Sequence, residues 1–475
     1  MDFYERRGEM NDSVVERYVS VFEALQPNCN LKRLTVESYN GNSFPNWLRG
    51  CHLVSLKLES CGLCSHLPPL GQLPCLKELS ISHCDGIKII GKEFFYDNNS
   101  KSLPFRPLEV LIFGEMKNWE EWLCLEGFPM LKKLCITKCP KLKRVPLQHL
   151  PCLQKMVIYN CNKLEECLCF EGSPFLKEVY IDNCSKLKRA PLPRHLPSLQ
   201  KLKIIDCEML EASIPKGDSI IELYVQRCDR IVLNKFPTSL KRFVFWGNRY
   251  TEFSGEQNLV DFTALEVLKV DLGGFVKCPS LDLHCLNYLR ELSITGRHSF
   301  SLPFSLHLFT DLQSLELYDC PQLESFPRGG LPSNLRELRI QNCPKLIASR
   351  EEWGLFQLNS LKTFTISDEF ENVESFPEEN LLPPTLKWLC LTKCSKLRIM
   401  NNKGFLHLNS LTDLRIENCP SLESLPEEGL QQLSSLSIYE CPLIREKYKK
   451  EGGERWHTIC HIPKVFNGRK IPDHG

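Results

Sequence analysis

From Leu335 the chain reads LRELRIQNC, from Leu411 it reads LTDLRIENC, and from Leu76 it reads LKELSISHC. These stretches share one pattern, LxxLxLxxC, and that pattern decides the fold. With Ile, Val, Met or Phe admitted at the leucine places it recurs eighteen times, starting at Leu31, Leu53, Leu76, Leu108, Leu131, Leu153, Leu176, Leu199, Ile220, Leu240, Leu265, Leu289, Leu312, Leu335, Leu361, Leu386, Leu411 and Leu433. Steps between starts run from 20 to 32 residues and average about 23.6. Self-similarity at such a period marks a stacked-repeat architecture.

Counting the first residue of each copy as place 1, places 4 and 6 share one face of a short strand and place 1 sits where the chain turns into it. Each copy therefore contributes one strand. The segments between strands are rich in proline, as in CPKLKRVPLQHLP from Cys139 and CPQLESFPRGGLP from Cys320, which rules out long helices there. One copy is too small to offset its own ordering entropy, so the copies must stack, each strand pairing with both neighbours. The expected fold is an α/β repeat solenoid: a leucine-rich-repeat horseshoe with a parallel concave sheet of about eighteen short strands and a convex side mostly of turns and coil.

Place 9 is Cys in twelve copies: Cys61, Cys84, Cys139, Cys161, Cys184, Cys207, Cys228, Cys320, Cys343, Cys394, Cys419 and Cys441. Such a residue points inward, satisfies backbone groups where the strand ends, and reacts slowly. Regularity fails twice. The step from Leu76 to Leu108 holds a polar insertion around Asp97 to Ser102, expected as a surface loop. The copies starting at Leu240, Leu265 and Leu289 carry Asn248, Gly273 and Arg297 at place 9, and a change of curvature or weaker seam is expected there.

Composition narrows the function. The 475 residues carry 59 Lys+Arg against 58 Asp+Glu, a formal net charge of +1, whereas a nucleic-acid binder would be basic. Although 75 residues are leucine, no apolar stretch approaches the eighteen or so residues of a membrane span. The 25 cysteines are an odd number in a long chain, and the opening MDFYERRGEMNDS lacks a signal-peptide layout. Reduced thiols in the cytoplasm or nucleus follow, which leaves the sequons at Asn11 and Asn98 silent.

Four longer stretches resemble the leucine-rich-repeat region of a plant intracellular immune receptor of the coiled-coil nucleotide-binding class. They are GIKIIGKEFF from Gly86 with PLEVLIFGEMKNWEEW from Pro107, the close CPLIREKYKKEGGERWHTICHIPKV from Cys441, and the opening ALQPNCNLKRLTVESYNGNSFPNWL from Ala24. The resemblance runs from about Val14 to the end, with Trp456, His461 and Pro463 in the order of the family's C-terminal signature. It implies a sensor and autoinhibitory region. The coiled coil, phosphate loop and Met-His-Asp switch of such receptors have no counterpart here, so ADP or ATP binding is not carried over, and the chain is expected as a truncated product or fragment.

Motifs that suggest chemistry have plainer readings. GIKIIGKE from Gly86 is one residue short of a phosphate loop and puts Glu93 where a Mg²⁺-binding hydroxyl belongs. Cys61 with Cys64, and His457, Cys460 and His461, lie at opposite ends of a rod and cannot complete a zinc site. Gly217-Asp218-Ser219 sits in a turn and lacks the GxSxG elbow. No catalytic residue, cofactor or metal is expected, and no enzyme activity.

What remains is recognition. Places 3, 5, 7 and 8 face away from the core, as with Lys57 and Glu59 or Ser80 and Ser82. Tyr159, Tyr180, Tyr224 and Trp246 occupy place 5 or 7 and should cluster on neighbouring strands, and Tyr318, Arg339, Arg415 and Tyr439 continue the face. Tyr, Trp and Arg anchor interfaces. These eight residues form the candidate partner-binding face, although large rings also suit any strand surface. The expected layout is a lead-in segment over 1–29, the solenoid over 30–442 and a basic cap and tail over 443–475, with a short helix from about Leu443 to Lys450 closing the last repeat. Through the resemblance, the partner is a pathogen effector or guarded host protein, and the receptor's own nucleotide-binding module in a full-length form. A substrate-receptor subunit of a ubiquitin ligase is the alternative. An extracellular receptor would instead show a signal peptide, paired-cysteine caps and a Gly-x-Ile-Pro tract.

Overall fold

The computed structural model describes residues 12–28, 30–96, 103–123, 128–146, 150–167, 173–190, 192, 196–215, 219–233, 237–249, 264–274, 286–296, 302, 306–327, 330–367 and 373–468. The chain divides into two compact units: residues 1–240, 245–256 and 274–277 form the first, and 241–244, 257–273 and 278–475 the second.

The first unit holds strands β1 (Arg33–Glu37), β2 (Ser55–Glu59), β3 (Glu78–Ser82), β4 (Val110–Gly114), β5 (Lys133–Thr137), β6 (Lys155–Tyr159), β7 (Glu178–Asp182), β8 (Lys201–Ile205) and β9 (Glu222–Gln226). Each pairs in parallel with the next, place for place. Strand β10 (Arg242–Trp246) falls where the units divide. The second unit repeats the arrangement with β11 (Val267–Asp271), β12 (Glu291–Thr295), β13 (Ser314–Tyr318), β14 (Glu337–Gln341), β15 (Thr363–Ser367), β16 (Trp388–Thr392), β17 (Asp413–Glu417) and β18 (Ser435–Tyr439). Each of the eighteen copies yields its strand at places 3 to 7. The fold is a parallel-strand solenoid of stacked coils with little helix.

The inward places build the core. In the seventh copy Leu176, Val179, Ile181 and Cys184 are all fully buried. The Cys184 thiol donates to the Asp182 carbonyl at 3.4 Å, and the same bond recurs from Cys139 to Thr137 and from Cys343 to Gln341. To bring place 9 inward the chain turns sharply at place 8, which adopts the left-handed conformation at Ser60, Lys138, Asn183, Asp206 and Asn342 among others. The strain is offset because the place-8 N–H extends the ladder, as from Asn183 to the Ile205 carbonyl at 3.0 Å.

Behind the strands run turns and two-residue parallel pairings such as Arg144–Val145 with Glu166–Cys167. Apart from α1 (Asp12–Ala24), the α-helices among the described residues are single turns or little more: α2 (Pro344–Ala348), α3 (Asn402–Phe405), α4 (Pro442–Lys447) and α5 (Trp456–Ile459). Helix α1, which the repeat pattern does not predict, buries Phe22 against Tyr39 and Trp47, with ring centroids 4.8 and 5.5 Å apart.

Several local expectations change. The C-terminal helix is α4, shorter than Leu443–Lys450, and the free edge of β18 is taken by a strand the repeat reading missed. This strand, β19 (Lys464–Gly468), pairs with β18 in parallel from Ser435↔Lys464 to Tyr439↔Gly468. The reason is that an open edge exposes unpaired N–H and C=O groups that a six-residue helix cannot satisfy. At the irregular copies, Asn248 makes a firm link rather than a weak one: it accepts from the Cys228 N–H at 2.8 Å and donates to the Val225 carbonyl at 3.0 Å. Strands β11, β12 and β13 keep full register past Gly273, although the division between units does fall in this stretch. Arg297, the insertion over 97–102 and both sequons lie outside the described residues. The flanks of that insertion are not polar surface: Phe94, Phe95 and Phe105 are buried in an aromatic cluster with Phe113, Trp122 and Phe128.

Motifs weighed for chemistry are tied into the stack. Ile87 and Ile90 are buried, and a Cβ at Gly86 would meet the Gly62 and Cys64 carbonyl oxygens at 2.6 Å. The Cys64 thiol donates to the Gly41 carbonyl at 3.1 Å, His461 donates to the Leu430 carbonyl at 3.2 Å, and Ser219 donates to that of Leu199 at 2.9 Å. Among the described residues no helix is long and apolar enough to cross a membrane.

Candidate recognition face

In the first unit the outward places form rows across the strands. The place-5 row over β5 to β9 reads Cys135, Val157, Tyr180, Lys203, Tyr224, and the place-7 row reads Thr137, Tyr159, Asp182, Ile205, Gln226. The apolar members surround an open depression of about 320 Å³ lined by Lys155, Val157, Tyr159, Tyr180, Asp182, Lys203 and Ile205. Tyr159 is 38% exposed on its rim.

Cations hold the aromatic rings in place. Lys155 Nζ lies 5.0 Å from the Tyr180 ring centroid and Lys203 Nζ 5.5 Å from it, while Lys203 also sits 4.2 Å from the Tyr224 ring. Each contact of this kind contributes about 0.5–1 kcal/mol at an exposed site. Lys155 is also bonded to Glu178 at 2.6 Å, which raises the lysine pKa and lowers that of the carboxyl. Burial, then the Glu178 charge, pushes the Tyr180 phenol up; burial, then Asp206, raises the Asp182 carboxyl. Lys201 pairs with Glu222 at 3.0 Å, and Arg227 clasps Asp206.

The structure thus brings Tyr159 and Tyr180 to one depression and links Tyr180 to Tyr224 through Lys203. Trp246 stands half-buried on β10, its carbonyl accepting from Arg227 at 3.0 Å. In the second unit, burial, then the Glu316 charge, raises the Tyr318 phenol, and the neighbouring Arg339 opposes the shift. Arg415 donates to Glu417 at 2.8 Å and lies 5.5 Å from the Tyr439 ring centroid. Not every outward place is open: Val267, Asp271, Ser293 and Thr295 on β11 and β12 are buried. Lys155, Val157, Asp182, Lys203 and Ile205 were missed from sequence, because each looks like an ordinary strand residue until the rows are written in register.

Comparison with known proteins agrees with the repeat pattern. The family described as "R13L1/DRL21 LRRs" matches residues 1–84, and "Plant disease resistance protein RPS2-like, leucine-rich repeats" matches residues 297–442. Over those stretches the chain resembles the leucine-rich repeats of plant disease-resistance proteins. It is 26% identical to the putative disease resistance protein At3g14460 of Arabidopsis thaliana over 94% of this chain and 47% of that protein. It is 37% identical to the putative disease resistance RPP13-like protein 1 of the same plant, over 35% of this chain and 17% of that one. The chain therefore spans about half the length of these relatives or less. Among solved structures it is similar to a Leptospira interrogans leucine-rich-repeat protein, at 17% identity and TM-score 0.46, covering 93% of this chain and 97% of that one. YopM from Yersinia enterocolitica follows at 16% identity and TM-score 0.37, covering 91% and 96%. Repeat regions of this kind serve in general as protein-interaction modules.

Proposed function

We propose that this region is a non-enzymatic recognition module of a plant intracellular immune receptor. Its outward face contacts a pathogen effector or a guarded host protein, and in a full-length receptor it also restrains the nucleotide-binding module. Binding one partner state better than another would shift the receptor between restrained and released forms. The cytoplasm, or the nucleus, is the compartment this reading requires, and the relatives' names support a role in defence. The observation that carries the reading is the Tyr180–Lys203–Tyr224 line beside an apolar depression. Half-buried rings held by cations in register are pre-ordered contact area, which reduces the entropy lost on binding.

The test replaces Trp246 and Tyr224 with alanine and measures capture of the receptor's own nucleotide-binding module or of a cognate effector. Capture should fall at least tenfold while the thermal midpoint stays near that of the parent. Unchanged capture would reject the site.

A further inference from the structure

On strands β6 to β9 the outward cations other than Lys203 are neutralised: Lys155 by Glu178, Lys201 by Glu222, and Arg227 by Asp206. Among the described residues Lys203 has no carboxylate within salt-bridge distance, and its ammonium is held instead between the faces of Tyr180 and Tyr224. Two rings that fix a long side chain remove much of the rotamer entropy a lysine would otherwise lose on pairing. An oriented, half-buried and unneutralised cation beside an apolar floor is a receptor for a carboxylate carried next to an apolar side chain. Asp182, beside Ile205 on the neighbouring strand, repels an acid placed over it and so favours the Lys203 end.

We infer that the partner docks an acidic, extended segment here, with an Asp or Glu on Lys203 between the tyrosines and an apolar side chain in the depression over Val157 and Ile205. This rests on the recognition reading above. Val157 and Lys203 lie two strands apart in one row, about 10 Å, which a chain in the extended polyproline II conformation covers in roughly three residues with both side chains on one face. The segment therefore reads acid-x-x-apolar, in either chain direction.

Selection of a random twelve-residue displayed peptide library against the full chain tests this. Recovered peptides should share the acidic and apolar pair at that spacing. Lys203→Met, which keeps the stem and removes the charge, should weaken them tenfold or more, while Lys203→Arg retains most of the binding. Peptides with no acidic preference, or binding that survives Lys203→Met yet is lost in Tyr180→Ala and Tyr224→Ala, would overturn the acidic partner and leave the face standing. Recovery of no binder, or binding indifferent to all four variants, would overturn both. Thermal midpoints matching the parent separate lost contacts from lost folding.

Discussion

At the scale of single residues, place 9 shows how sequence and structure meet. That twelve cysteines would point inward was legible from period alone, and each does, its thiol donating to the carbonyl two residues before it. The left-handed turn at place 8 was not legible from period, because the pattern leaves that place free. Its signal is compositional: Asn160, Asn183, Asp206, Asp319, Asn342 and Asn418 are residue types that tolerate positive φ. The buried thiols also carry a pH signature. The neighbouring Cys161 thiol, opposed by Cys207 and reinforced by burial, pushes the Cys184 thiol up to about 12. Folding therefore favours the neutral thiol. This contribution is complete below the unfolded-state value near 9 and is lost progressively as pH rises toward 12. At pH 8 only about one Cys184 in 10⁴ is thiolate. Iodoacetamide labelling followed by peptide mapping should thus modify the exposed Cys460 long before Cys184, and stability should fall from about pH 9 upward. Equal labelling rates at pH 8, with an intact fold, would contradict the inward ladder.

At the scale of the element, a strand chooses its neighbours partly by charge. Along place 2, Glu109 lies between Lys77 at 3.2 Å and Lys132 at 2.7 Å, and these two lysines hold its carboxyl below the usual range. At place 8, Glu115 lies between His83 and Lys138, each at 3.0 Å. Behind the strands Glu166 lies 3.8 Å from both Arg144 and Arg189. In these three triads sign alternates from rung to rung, so a slip by one copy there sets like charges opposite each other. Exposed pairs contribute little individually, about 0.2–1 kcal/mol; their use is in specifying order among copies whose leucines are interchangeable. Replacing Glu109 with Lys should cost about 1 kcal/mol relative to Glu109→Gln at low salt, with most of the difference gone at 1 M NaCl. Denaturant titration of both variants at two salt concentrations reads it, and a salt-independent difference would refute the charge argument. Elements built from the repeat were readable in this way. Helix α1 and strand β19 were not: α1 lies ahead of the first copy and packs Phe22 near Tyr39 and Trp47, and β19 answers the open edge of β18 rather than the leucine period.

At the scale of the whole molecule, inward and outward places divide the labour. Inward places repeat because every coil must fit the next; outward places vary because the ladder does not depend on them. That division made the face legible, with Tyr159, Tyr180 and Tyr224 on it, but not the depression, which exists only once rows from three strands are set side by side. With a net charge of +1 and both signs interleaved, the chain offers little net charge to steer a partner, and the proposed recognition rests on local contact. The most direct measurement substitutes places 1 to 9 of the four copies that carry β6 to β9 and scores each variant twice, for protease-resistant folding and for partner capture. Changes at places 4, 6 and 9 should abolish folding, while changes at places 5 and 7, Tyr180, Lys203 and Tyr224 foremost, should leave folding intact and reduce capture. Substitutions at Tyr180 or Tyr224 that unfold the chain, or a capture profile indifferent to places 5 and 7, would contradict the account.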